Sequence, residues 1–106
     1  MAAGQQGLQH FTDLTATSSG GTVTYYIPGS TTIEMRATSV TFLNDGSSSA
    51  VRVNFTSTTG TDSGGYPVKA GETISINAPN RKGYYTGLSY TCTGVASVAC
   101  RVIAIR

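Results

Sequence analysis

Short runs of alternating apolar and polar residues recur along the chain, separated by clusters of Gly, Pro, Asn, Asp and Ser. In one of them Val51, Val53 and Phe55 alternate with polar residues, the period-two pattern of a strand with one buried face. Comparable runs cover 22–27, 31–36, 39–43, 73–77, 84–93 and 98–106. No window of about eleven residues has helical apolar spacing. The pattern predicts an all-β fold, an antiparallel β-sandwich or jelly roll of about seven to eight strands.

The first 21 residues differ from the rest because Gly, Gln, Ser and Thr dominate them. Such a segment predicts either a flexible N-terminal arm or an edge strand around residues 9–16. We therefore divide the chain into an arm or edge strand, 1–21, and a β-sandwich domain, 22–106. The large apolar residues of the first part, beyond the initiator, are Leu8, Phe11 and Leu14.

The last strand-like run departs from simple alternation. Val102 shares one face with Cys100 and Ala104, whereas Ile103 and Ile105 add apolar bulk to the other face. Both faces of this strand therefore need cover. We predict that a partner supplies part of that cover and contacts Leu8, Phe11, Leu14, Ile103 and Ile105.

Charge and composition exclude several function classes. Charged residues form 11% of the chain, and seven Lys and Arg against five acids give a net charge of +2 without any run of like charge. A nucleic-acid binder needs a basic stripe, and an active site needs convergent titratable groups. His10 falls in the N-terminal segment, so we expect an exposed surface residue and not a positioned base. We predict no catalytic residue, cofactor, metal site or nucleic-acid partner.

Targeting patterns are also missing from the sequence. No segment approaches the ~20 apolar residues of a membrane span. The first residues lack a basic region followed by an apolar stretch, which a secretory signal has. We therefore expect a soluble protein made in a cytoplasm, with no membrane partner.

The two cysteines, Cys92 and Cys100, support two interpretations. If a hairpin tip is centred on Ala96, they lie opposite each other on adjacent antiparallel strands, close enough for a disulfide. Alternatively they are reduced, buried thiols that pack as small apolar groups. The sequence leaves both open.

One segment mixes cations with aromatic rings: Arg81 and Lys82 precede Tyr84 and Tyr85. Such a mixture can stack on a base or grip a sugar ring. Because consecutive strand residues face opposite ways, only one of the two tyrosines can join a surface patch. An interface between proteins explains the same residues.

The order of motifs resembles small β-sandwich decoration or cement proteins of tailed bacteriophages. The resemblance rests on the strand at 37–43, the Asn44-Asp45-Gly46 turn, the alternating strand at 51–55 and the segment 66–76, and it covers about residues 37–106. It implies a non-enzymatic protein that binds the outside of a capsid lattice as an oligomer. No residue role is carried over from that family.

These observations lead to one functional hypothesis and one alternative. The hypothesis is a virion protein, located on the capsid surface after synthesis in a host cytoplasm, that stabilises the shell. Its partners would be the major capsid protein or other virion proteins and copies of itself, with a trimer as one candidate. The alternative is a carbohydrate-binding module built on Tyr66, Tyr84 and Tyr85.

Overall fold

A computed structural model describes residues 8–55, 65–77, 84–92 and 97–106. Eight strands form two four-stranded sheets. Sheet A has the order β1-β8-β3-β6 and sheet B the order β2-β7-β4-β5. The strands are β1 Gln9–Ala16, β2 Gly21–Thr24, β3 Ser39–Asn44, β4 Val51–Asn54, β5 Tyr66–Val68, β6 Thr73–Asn77, β7 Gly87–Cys92 and β8 Val98–Ile105. No helix occurs among the described residues.

The strand pairing is nested. The first strand pairs with the last, the second with the seventh, the third with the sixth and the fourth with the fifth, all antiparallel. Two further antiparallel pairings, β3 with β8 and β4 with β7, complete the sheets. This is the strand order of an eight-stranded jelly roll. The predicted all-β sandwich is therefore confirmed.

The core lies between the inner faces of the two sheets, as period-two alternation requires. In β8 every second residue from Val98 to Ala104 is buried, and in β3 Val40, Phe42 and Asn44 are buried. Sheet B supplies buried residues from all four of its strands: Val23, Val51, Val53, Val68, Leu88 and Cys92. The alternating runs of the sequence thus fold as strands with one buried face.

Asn44 is the polar exception in this core, with an exposed fraction of 1%. Its amide nitrogen donates to the backbone oxygens of Ser49 and Val68, each at 2.9 Å. Its side-chain oxygen accepts from the backbone N–H of Gly46 at 2.9 Å. Because Val68 belongs to β5, this single side chain links the end of sheet A to sheet B.

Two predictions about local structure need correction, and the choice left open for residues 9–16 is decided. Residues 31–36 form no regular strand; Tyr26 makes an isolated bridge with Glu34 around a turn in which Gly29 has a positive φ of 85°. The run 66–68, predicted only to close a loop, is strand β5. Residues 9–16 form edge strand β1, paired with β8 along its whole length, so they are not a flexible arm. Residues 8–21 are thus part of the sandwich, and 1–7 lie outside the described residues.

The predicted geometry of the cysteines is also wrong. β7 and β8 are consecutive in the chain but belong to different sheets. Cys92 pairs with Val51 in sheet B, and Cys100 lies between Leu14 and Asn44 in sheet A. Apart from β4 and β5, consecutive strands of this jelly roll lie in opposite layers, so no β7–β8 hairpin places the two residues side by side. Both are buried, and neither forms a disulfide.

Candidate functional site

The outer face of sheet A carries large, exposed apolar side chains. Phe11 of β1 is 64% exposed and lies directly across from Ile103 of β8. Ile105, the next outward residue on β8, is 38% exposed. We call Phe11, Ile103 and Ile105 the apolar patch. Three of the five predicted contact residues are thus brought together on one surface.

The other two predicted contact residues are not on that surface. Leu8 and Leu14 are half-buried and pack against the core. Side chains alternate along a strand, so Leu14 points to the side opposite Phe11. The prediction assigned Leu8, Phe11 and Leu14 to one partner contact, and a strand does not present residues at both odd and even positions on the same face.

The rest of the outer face is mostly uncharged, and Leu43 of β3 adds one more apolar residue to it. Beyond β8, the outward residues of β3 and β6 include Ser39, Thr41, Ser75 and Asn77. The hydroxyl groups of Thr41 and Ser75 lie 2.8 Å apart. Small polar side chains therefore surround the apolar patch on the side away from β1.

Charges gather at one end of this face. Arg101 donates to both carboxylate oxygens of Asp45, from Nε at 2.7 Å and from a terminal nitrogen at 3.0 Å. The hydrogen bond from Arg101 lowers the pKa of Asp45. Asp13 lies across the ladder from Arg101, and the three residues help to line an open cleft of about 400 Å³. Two carboxylates around one guanidinium give this end a negative charge.

The four edge strands differ in how far they are protected. In sheet B, β2 has four residues and β5 has three, with Pro67 in the middle. Short strands and proline discourage pairing with another chain. In sheet A, β1 has eight residues and β6 has five, Thr-Ile-Ser-Ile-Asn, without charge or proline. The longer edge strands therefore belong to sheet A, where no described strand lies beyond β1 or β6. Asp13 is the one carboxylate in β1, and β6 has no charged residue.

His10 is held in place, contrary to the prediction of an exposed residue. It is half-buried, and its Nδ1 accepts a hydrogen bond from the backbone N–H of Tyr26 at 3.1 Å. Its Nε2 lies 2.6 Å from the hydroxyl oxygen of Thr12. The same Nδ1 also lies 3.1 Å from the backbone oxygen of Tyr26, so this side of the ring faces both a backbone donor and a backbone acceptor. His10 thus ties β1 to the segment that follows β2.

The predicted ligand patch is only partly within the described residues, because Arg81 and Lys82 lie outside them. Tyr84 is 46% exposed, and the guanidinium of Arg36 sits 5.1 Å from its ring centroid. Tyr85 is half-buried, and its hydroxyl donates to the backbone oxygen of Asn77 at 3.2 Å. One tyrosine faces outward and the other packs inward, and a guanidinium already covers one face of the outward ring.

Two other features, a metal site and a membrane-spanning helix, are considered for the described residues only. Among the described residues, no three His, Cys, Asp or Glu side chains group as a metal site requires. Within those ranges no helix has the length and hydropathy needed to cross a bilayer.

Comparison with known proteins finds a similar fold but no matching family. No family model matches the chain, and no curated protein matches it. One solved structure, from Bacillus endospore appendages described as a novel family of disulfide-linked pili, covers 99% of this chain and 94% of its own, with 18% identity and a TM-score of 0.56. A crystal structure of PirA covers 92% and 94% at 16% identity, with a TM-score of 0.47. The first likeness shows the fold.

The comparison corrects the functional hypothesis. The solved structure that shares this fold over the whole chain belongs to a bacterial appendage and not to a capsid. The predicted decoration of a phage shell and the predicted virion location are therefore wrong. The resemblance in motif order to phage proteins stays a prediction, since no family model matches.

Proposed function

We propose that this chain is a non-enzymatic structural subunit that assembles with copies of itself into a pilus-like surface appendage. The likeness in fold to an appendage protein over 99% of the chain supports the proposal. The observation that carries it is the pair of long edge strands, β1 and β6, on opposite sides of sheet A.

The direction of these strands suits a polymer. Each strand of sheet A is antiparallel to its neighbour, so β1 and β6 run in opposite directions. A second copy in the same orientation would place its β1 antiparallel to β6 of the first. This contact joins two different surfaces and leaves a free edge at each end. It therefore continues into a filament and does not close into a dimer.

The backbone of β6 has hydrogen-bonding groups available for such pairing. The backbone N–H of Asn44 donates to the oxygen of Glu72 at 3.0 Å, which sets the ladder between β3 and β6. Hydrogen-bonded and non-hydrogen-bonded pairs alternate along an antiparallel ladder. Ser75, opposite Thr41, is in a non-hydrogen-bonded pair, so its N–H and C=O point away from β3 toward the open edge.

Disulfide linkage, which describes the Bacillus appendages, does not suit this chain. It has two cysteines, Cys92 and Cys100, which are 1% and 2% exposed. Burial raises the pKa of Cys100 to about 12, so this thiol stays protonated at neutral pH. Thiol exchange between subunits needs an accessible thiolate. We therefore propose that the contacts between subunits are non-covalent.

A single substitution at the open edge tests the proposal. Ser75→Pro removes the N–H that points outward and leaves the ladder to β3 in place, because edge strands tolerate proline on their free side. Ser75→Ala is the matched control, since it removes the same hydroxyl and keeps the N–H. We expect electron microscopy, with a thiol reductant present, to find filaments of the intact chain and of Ser75→Ala, but not of Ser75→Pro.

Circular dichroism of each variant confirms that the sandwich remains folded. If the intact chain forms no filament at any concentration, the proposed function is wrong. Filaments of Ser75→Pro equal in number and length to those of Ser75→Ala would show that β6 is not the assembling edge.

A further inference from the structure

The two long edges of sheet A match each other in the direction of their backbone groups. At the end of the ladder between β1 and β8, the backbone N–H of Arg106 donates to the oxygen of Leu8 at 2.9 Å, so these two residues form a hydrogen-bonded pair. Hydrogen-bonded and non-hydrogen-bonded pairs alternate along an antiparallel ladder. The odd-numbered residues of β1, from Gln9 to Thr15, therefore direct their N–H and C=O groups away from β8. On β6, Ser75 directs its groups away from β3 in the same way.

The residues with outward backbone groups also share one face of the sheet. Phe11 of β1 is opposite Ile103 of β8, which is opposite Thr41 of β3. Thr41 in turn is opposite Ser75 of β6. Directly opposed residues of a ladder point to the same side, so Phe11 and Ser75 both lie on the outer face. The sheet can therefore continue from β6 of one copy into β1 of the next without turning over, provided that odd-numbered residues meet odd-numbered residues.

Few registers satisfy this condition. When all five residues of β6 have a partner in β1, two registers remain. The unshifted register places Thr73 opposite Asp13 and continues the rows of residues straight from one copy to the next. The shifted register places Thr73 opposite Thr15 and moves the next copy by two residues along the strand. In both, the even-numbered residues of the two strands are opposed on the inner face, and those residues decide between the registers.

The inner side of each edge has apolar side chains that are only half-buried. Leu14 of β1 and both isoleucines of β6, Ile74 and Ile76, pack against the core and keep part of their surface exposed. In the shifted register Ile74 lies opposite Leu14, so the exposed parts of two apolar side chains meet. In the unshifted register Ile74 lies opposite Thr12. Ile76 then lies opposite His10, so no two apolar side chains are paired.

We propose that β6 of one copy binds β1 of the next in the shifted register, and that Leu14 and Ile74 are the residues that select it. Apolar pairs across a ladder stabilise it relative to pairs of other kinds. On the outer side Asp13 lies opposite the uncharged Ser75, so no like charges meet. The inference rests on the proposed function, because it concerns the same two edges, and it adds which residues meet and which of them set the register.

Engineered cysteines measure the register. In the shifted register, Thr15→Cys/Thr73→Cys places the two cysteines of neighbouring copies about 5.5 Å apart at Cα, within the range for a disulfide. Inside one copy, β1 and β6 are separated by three strand spacings, about 14 Å, so no bond forms within a chain. With oxidised glutathione as the two-electron acceptor, we expect a ladder of covalent multimers on a non-reducing gel.

Two controls accompany this measurement. Asp13→Cys/Thr73→Cys should give far fewer multimers, because its cysteines are directly opposed only in the unshifted register and lie about 7 to 8 Å apart, along the diagonal, in the shifted one. The intact chain should give none, because Cys92 and Cys100 are buried.

A substitution on the inner face tests the residues that select the register. Ile74→Thr keeps a β-branched side chain and removes the apolar contact with Leu14. Ile76→Thr is the matched control, because it makes the same change at a half-buried position that lies opposite Thr12 in the shifted register. We expect Ile74→Thr to raise the lowest concentration at which filaments sediment about two- to fivefold above that of Ile76→Thr. Circular dichroism confirms that both variants are folded.

The outcomes separate the register from the proposed function. If Asp13→Cys/Thr73→Cys gives as many multimers as Thr15→Cys/Thr73→Cys or more, the shifted register is wrong, and filaments of the intact chain still support the proposed function. Equal critical concentrations of Ile74→Thr and Ile76→Thr would overturn the selecting role of the Leu14 pair. Filaments that give no multimers with either cysteine pair would overturn the register and the assembly through β1 and β6 together. An intact chain that forms no filament rejects the proposed function and this inference with it.

Discussion

Sheet A and sheet B share one core but differ in the length of their strands and in the hydrogen bonding of their buried hydroxyls. The strands of sheet A have eight, eight, six and five residues, whereas those of sheet B have four, six, four and three. The described buried hydroxyls without a hydrogen-bond partner, those of Tyr25 and Ser89, belong to the sheet B side. Tyr25 directly follows β2, and Ser89 lies in β7. Sheet A thus has the longer strands and, among the described residues, no buried side-chain hydroxyl without a hydrogen-bond partner.

The difference assigns separate roles to the two layers. Both inner faces exclude water, so burial alone does not distinguish them. Sheet A has the open edges and the apolar patch on its outer face, whereas the edges of sheet B are short or contain proline. Assembly surfaces require a rigid support, and the longer ladders supply it. The comparison predicts that the links between the layers control stability, while substitutions on the outside of sheet A control assembly.

The largest effect on stability is expected where the layers are joined. Asn44→Ala leaves the carbonyls of Ser49 and Val68 and the N–H of Gly46 without their partner. Losing a buried polar side chain with several partners should lower the free energy of unfolding by about 2 to 4 kcal/mol. Chemical denaturation measures the change. Asn77→Ala, at the exposed end of β6, is the control, and an equal loss in both variants would show that Asn44 does not join the sheets.

A smaller effect is expected from Cys100, on the inner side of β8. Burial first, and then the charge of Asp45, raises the pKa of this thiol from 9.0 to about 12. The unfolded chain releases the proton near pH 9 and the folded chain keeps it. Stability is therefore complete below pH 9 and falls as pH rises toward 12, by at most about 1.4 kcal/mol per pH unit.

Denaturation between pH 8 and 10, with a thiol reductant present, measures this slope. Cys100→Ala should remove the part of the slope that the thiol causes. Val102→Ala creates a comparable loss of volume on the same face of β8 and keeps the thiol, so its slope should match that of the intact chain. Identical slopes in all three proteins would place the thiol in a more hydrated position than its burial indicates.

Sequence alone predicted the bounds of several strands well. The bounds of β1, β6 and β8 agree with the runs at 9–16, 73–77 and 98–106 to within one residue. It did not predict which strands are neighbours. That information comes from nested long-range pairing, which sets β7 and β8, and with them Cys92 and Cys100, in different sheets.

The candidate surface was predicted only in part for a related reason. Ile103 and Ile105 were assigned to an outer face because they alternate with Val102, and the structure agrees. Composition alone groups Leu8 and Leu14 with Phe11. Side chains at odd and even positions of β1 point to opposite faces, so the grouping fails in the structure. His10 was expected to be exposed because its partner, the N–H of Tyr26, is sixteen residues away in the chain.

The smallest effect concerns the buried hydroxyl beside sheet B. Tyr25 is fully buried, its hydroxyl has no partner, and burial raises its pKa above the ordinary value of 10.0. Tyr25→Phe keeps the ring and removes the unpaired polar group, so we expect the free energy of unfolding to rise by about 1 kcal/mol. Tyr84→Phe removes an exposed hydroxyl and should leave it unchanged. A loss of stability in Tyr25→Phe would mean that the hydroxyl is hydrogen-bonded in solution, and the contrast between a satisfied sheet A and an unsatisfied sheet B would then be smaller than the geometry indicates.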